Sequence, residues 1–227
     1  MSQGELARRT APEDFIAWVT AGAHANGLTS LAPDTVVHGG YPEAVTRSPA
    51  RAARWFAGYV DRLADHDARD LQRGGYADHI RALLQLIGAG GETELVKSKL
   101  ARTIGVSENS LDSYLRLATT MRLVSVLLPW TRSPRGRIAR RPKVSLNDTG
   151  LAAHLAGFTS AHATTVGGRE YFGALTEQFV ALELRKQSAW SQEPFQLFHY
   201  RDLDGLASIF HRGGSGRGDG LRITVWV

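Results

Sequence analysis

Arg132, Arg135, Arg137, Arg140 and Arg141 fall within ten consecutive positions that hold no acid. A guanidinium stays charged at any physiological pH and presents a planar fork of donors that fits a phosphate. Five of them on one short segment is the chemistry of gripping a phosphodiester backbone, and Lys143 just beyond extends the set. A second constellation is Asp61, Asp65, Asp67 and Asp70 with His66. These are ligand types, but Arg62, Arg69 and Arg73 interleave with them. An ion-paired, solvated helix face accounts for that pattern, so no metal site is assigned. The chain has no cysteine. That excludes a disulfide scaffold, a thiolate zinc site, an iron–sulfur cluster and a cysteine nucleophile, and fits a reducing cytoplasm.

The charge is unevenly spread. The 227 residues carry 27 Lys plus Arg against 22 Asp plus Glu, a net +5. Between Glu94 and Asn147 stand eleven basic residues and three acids, a net +8 that leaves −3 elsewhere. A basic middle on a slightly acidic remainder is the asymmetry of a nucleic-acid-binding module. With 43% apolar residues the chain is ordinary for a globular protein, and its length suits one large or two small domains. No apolar run is long enough to span a membrane. Glu5, Glu13 and Asp14 exclude a signal peptide.

The basic segment has the pattern of a winged helix-turn-helix. Thr93 is placed to cap a helix with Leu95, Leu100, Ala101 and Ile104 inward. Gly105 suits the left-handed turn that ends it, and Ser107 the cap of the next. That second helix, 108–121, turns Leu111, Tyr114, Leu115, Ala118 and Met121 inward. Its outward residues include Asn109 and Ser110, suited to base edges, and Arg116, suited to phosphate or guanine. Glu108 and Asp112 on the same face repel phosphates. Strand-like runs at 123–128 and 143–146 flank a hairpin wing, with Pro134 and Gly136 at its tip.

Around this core, residues 13–20 read as a short helix and 21–34 as irregular. His38 to Glu43 is a turn with paired glycines. Helices are expected over 49–72, capped by Ser48, and over 76–89. Asp148 caps a further helix, 172–188 is helical, 195–200 is a strand and 201–205 a hairpin turn.

Several segments together resemble the C-terminal part of a prokaryotic family of AAA-type ATP-binding proteins, whose second half is catalogued as domain of unknown function 4143. They are GGYPEAV (39–45), RWFAGYVDRLADHDARDL (54–71), LARTIGVSENSLDSYL (100–115), PKVSLNDTGLAAHLAG (142–157), GALTEQFVALELRKQ (173–187) and FHYRDLDG (198–205). The resemblance implies a P-loop ATPase ahead of the winged helix and a restriction-nuclease-like fold after it. ATP and magnesium belong to that ATPase region only, since no G-x-x-x-x-G-K-[ST] occurs here. Glu177 is the sole matched nuclease-like position, and the acids that would join it have no counterparts.

The expected fold is therefore mainly α with a winged helix-turn-helix, followed by an incomplete α/β restriction-nuclease-like segment. Residues 1–36 are a trailing helix and linker, 37–147 a helical region with the winged core at 93–146, 148–206 a partial nuclease-like domain, and 207–227 a disordered Gly/Arg-rich tail. The expected function is non-catalytic and cytoplasmic. The chain is read as a fragment of such an ATP-binding protein that holds double-stranded DNA through its wing. Two alternatives stand beside it: a protein-docking module for an ATPase domain or another chain, and a non-functional gene fragment.

Overall fold

The computed structural model describes residues 1–6, 14, 31–71, 76–131, 140–192, 195–201, 207–213 and 222–224. The expected helix at 13–20 lies almost wholly outside them. The first described elements are α1 (Gln3–Leu6) and α2 (Pro33–His38). Gly39 follows with φ +71°, and Pro42 opens the short α3 (Pro42–Val45), so the paired-glycine turn is where the residues placed it.

Two long helices form the scaffold. In α4 (Pro49–Leu71), Ala52, Phe56, Val60 and Ala64 recur every fourth residue and are all buried. In α5 (Tyr76–Gly90), Ile80, Leu83, Leu84 and Ile87, at spacings of three and four, are buried too. Each of those large side chains contributes roughly 1.5–3 kcal/mol by leaving water.

A two-residue strand, β1 (Thr93–Glu94), comes next, then α6 (Lys97–Ile104), α7 (Glu108–Thr120), β2 (Val124–Leu127) and β3 (Lys143–Leu146). The sheet order is β1-β3-β2, antiparallel throughout, with Val126 opposite Val144. Helix, strand, two helices, then an antiparallel strand pair is the winged helix-turn-helix arrangement. Thr93 does not cap α6; it pairs with Val144 in β1, and α6 begins four residues later without a side-chain cap. The non-local strand pairing overrides the local capping preference.

The chain continues through α8 (Thr149–Leu155), a 3-10 turn (Ser160–Thr164) and α9 (Arg169–Gln187). A second antiparallel sheet follows: β4 (Phe195–Arg201), β5 (Ala207–Gly213) and β6 (Arg222–Thr224), in that order. The expected structureless tail is thus corrected at 207–213 and 222–224. The residue pairs Leu197↔His211 and Ile209↔Ile223 set the register there. The expected division at 147/148 is corrected too. Leu151, Ala152 and Ala153 of α8 belong to the same apolar core as α4, α5 and α7.

A buried carboxylate explains why no boundary falls there. Asp148 caps α8 by accepting from Leu151 N at 2.9 Å. Its other oxygen accepts from Gly40 N at 2.7 Å. A Cβ on Gly39 would collide with the same carboxylate.

Candidate nucleic-acid interface

The turn between α6 and α7 forms as its residues dictate. Gly105 takes φ +82°, and Ser107 Oγ accepts from Ser110 N at 3.1 Å. Leu111, Tyr114, Leu115 and Ala118 bury one side of α7. That fixes which residues face away. Asn109 and Arg116 are exposed. Arg116 Nη2 donates to Ser113 Oγ at 3.2 Å, which lays the guanidinium along the outer face. Ser110 is half-buried and its hydroxyl meets Ser107 Oγ at 3.0 Å, so it serves the cap.

Asp112, expected to repel phosphate, is bridged by Lys97 of α6 at 2.7 Å. The bridge crosses the helix-turn-helix and neutralises the acid beside Arg116 and Asn109. Glu108 stays exposed at the start of α7. Nothing in the sequence spacing alone tied Lys97 to Asp112; the signal is the close approach of α6 and α7 that the turn enforces.

The wing is described at its base only. Arg140 and Arg141 are exposed there. Arg132, Arg135 and Arg137 lie outside the described residues. Lys143 does not join them. It is 8% exposed in β3, and its ammonium pairs with Glu177 of α9. Its place in the phosphate-gripping set is therefore corrected: a strand residue whose side chain points at the core cannot reach a polyanion.

Glu177, the nuclease-like position, is taken up by that ion pair. Beside it Glu92 is 5% exposed, and one of its carboxylate oxygens has no partner. Burial, with the nearby Glu177 charge, pushes the Glu92 carboxyl up to about 7 against the pull of Lys143 and Arg185. Sequence reasoning missed this cluster because Glu92, Lys143 and Glu177 come from three separate elements. Among the described residues, no group of three or more His, Cys, Asp or Glu side chains could hold a metal ion. The side chains of Asp65, His66, Asp67 and Asp70 lie outside them, and Asp61 pairs with Arg81 at 3.3 Å. No described helix is long and apolar enough to cross a membrane.

The chain is 30% identical over 197 residues to two mycobacterial proteins: uncharacterized protein Rv2008c of Mycobacterium tuberculosis and uncharacterized protein Mb2031c of Mycobacterium bovis. The match takes in 86% of this chain and 43% of each relative, so the chain spans less than half their length. Among solved structures, a point mutant of S. aureus MepR bound to an oligodeoxyribonucleotide overlaps 64% of this chain and 86% of its own, with TM-score 0.26 and 15% identity. The reduced form of MarR from E. coli overlaps 63% and 97%, with TM-score 0.26 and 19% identity. Overlap that slight carries no weight, and the winged helix is assigned from element order and sheet topology.

The family matched over residues 30–162, more than half of the chain, is Domain of unknown function (DUF8612). This overturns the resemblance to AAA-type ATP-binding proteins with domain of unknown function 4143. The fragment origin and the ATPase-domain partner lose the support they drew from it. The motifs misled for a physical reason. GGYPEAV and SLNDTGLAA encode the junction of Gly39, Gly40 and Asp148, a packing solution that says nothing about nucleotide chemistry. The chain belongs to the family described as Domain of unknown function (DUF8612).

Proposed function

We propose that this chain binds duplex DNA without catalysing a reaction on it. In this reading α7 enters the major groove, with Asn109 at base edges and Arg116 on guanine or phosphate. Arg132, Arg135, Arg137, Arg140 and Arg141 of the wing hold the backbone, and Ser110 acts through the cap. The carrying observation is the Lys97–Asp112 bridge, which neutralises an acid on α7 next to the exposed Asn109 and Arg116. Against catalysis stands Glu177, whose carboxylate is committed to Lys143.

A salt titration of duplex binding tests this. Five neutralised phosphates give a slope of log K against log salt of about −4 to −5. Arg140→Gln with Arg141→Gln should flatten it by about 2 units. Binding that ignores salt, or magnesium-dependent cleavage lost in Glu177→Ala, would overturn the reading.

A further inference from the structure

We infer that the outward face of α4, with Arg51, Arg54 and Arg62 set around Gly58, is a second backbone-gripping strip that holds the duplex beside the winged helix. This rests on the duplex-binding reading and extends its footprint.

The four positions are spaced three, four and four apart, so they share one face of the helix. It is opposite the buried Ala52, Phe56, Val60 and Ala64. Arg51, Arg54 and Arg62 are exposed, and no ion pair or hydrogen bond engages their side chains among the described residues. Of the acids near the strip, Asp61 is bridged to Arg81 at 3.3 Å, and the side chain of Asp65, three positions beyond Arg62, lies outside the described residues. Twelve residues of helix carry the three cations over about 16 Å, a length along which one DNA strand presents about five phosphates.

Gly58 is the independent observation. Glycine is the weakest helix former after proline, and the fold does not require it here. An added Cβ would meet only the flexible Arg62 Nη1, at 3.3 Å. With no side chain there, the Arg62 guanidinium lies over Gly58 at the centre of the strip.

Position and chemistry favour nucleic acid over an acidic protein. Trp55 and Tyr59 beside the strip stack on each other at 5.1 Å and close onto Tyr41 at 5.3 and 5.2 Å, so these three rings are packed together and not splayed to receive a protein anchor. α5 touches both α4 and α7. Asp61 of α4 meets Arg81 of α5, and His79 of α5 meets Tyr114 of α7 at 3.1 Å. Two helix-to-helix steps amount to on the order of 20 Å, within the length of one duplex.

The test compares the whole chain with Arg51→Gln/Arg54→Gln/Arg62→Gln on duplexes of 10 and 30 base pairs, over a range of salt. Glutamine keeps the helix. On the long duplex the triple variant should lose about 2–3 units of salt slope and bind 10- to 100-fold more weakly at low salt. Coincident slopes on the long duplex would overturn the strip. So would loss of polyglutamate binding with DNA binding intact, which would assign the face to an acidic protein. Asn109→Ala/Arg116→Ala separates the two readings. If it binds the short duplex like the parent, the recognition helix is wrong while the strip is still judged by the long-duplex slope. A parent chain that binds neither duplex sinks both.

Discussion

The Nε2 of His199 lies 3.1 Å from the carbonyl oxygen of Arg141. The carbonyl can only accept, so Nε2 carries the proton and donates. The backbone of the same residue holds the other arm of the wing: His199 N donates to Leu128 O at 2.9 Å, and Trp130 N donates to His199 O at 2.7 Å. One residue of the second sheet thus grips both sides of the wing stem. Trp130 and Phe198 pack beside it, ring centres 5.8 Å apart.

That grip is pH-sensitive. Burial first, then the Lys143 charge, pulls the His199 imidazole down to about 4. The folded state therefore disfavours the proton that the unfolded chain takes up near pH 6.5. Stability contributed by the neutral ring is intact above about 6.5 and is lost as the pH falls towards 4. Urea midpoints at pH 7 and pH 4.5 should differ more for the parent than for His199→Phe; equal differences would refute the assignment. His199→Ala should cost about 1 kcal/mol at pH 7 from the lost hydrogen bond.

Glu92 works in the opposite direction. Its carboxyl, pushed up to about 7, is neutral in the fold below that pH and ionised in the unfolded chain above about 4.5. Its contribution is fully present below 4.5 and is lost as the pH rises through 7. Glu92→Gln should match the parent at pH 4 and exceed it at pH 8, by about 3 kcal/mol at most. Denaturant midpoints across that range decide it, and a constant offset would count against the buried, partnerless oxygen.

Lys143 separates stability from binding. Removing it strands Glu177 in a buried site, at a cost of about 3–5 kcal/mol. Lys143→Met should lower the melting temperature, and Lys143→Met/Glu177→Leu should recover much of the loss. The salt slope for DNA should not change in either. A slope reduced by a full unit would return Lys143 to the interface.

Gly39 and Asp148 form the most sensitive junction. Alanine at 39 meets both a φ of +71° and the Asp148 carboxylate, so Gly39→Ala should fail to fold or melt far below the parent. Asp148→Ala forfeits the α8 cap and leaves Gly40 N–H buried and unpaired, at a cost of about 2–4 kcal/mol. Asp148→Asn, which keeps one acceptor, should fall between Asp148→Ala and the parent on a thermal melt.

Legibility in the sequence followed the range of the forces. Gly105, Ser107 and the apolar spacing of 111–118 act within one or two turns, and the turn and second helix came out within a residue of their bounds. The caps at Ser107 and Asp148 were likewise readable. Thr93 was misread because its partner, Val144, is fifty-one positions away. Lys143 looked like surface charge because Glu177 is distant in sequence. The strand at 207–213 was hidden by a Gly- and Arg-rich composition and exists through pairing with 195–201. Asn109 and Arg116 were placed outward correctly, and the neutralising role of Lys97 was not visible until α6 and α7 were side by side.

Gly40 and Asp148 are 108 positions apart in the chain yet directly bonded. The helices between them share one apolar core with α8, so this bond fastens a loop that cannot be lifted out of the body. Cutting the chain at either end would leave the core shared between two pieces, and neither piece would close it alone.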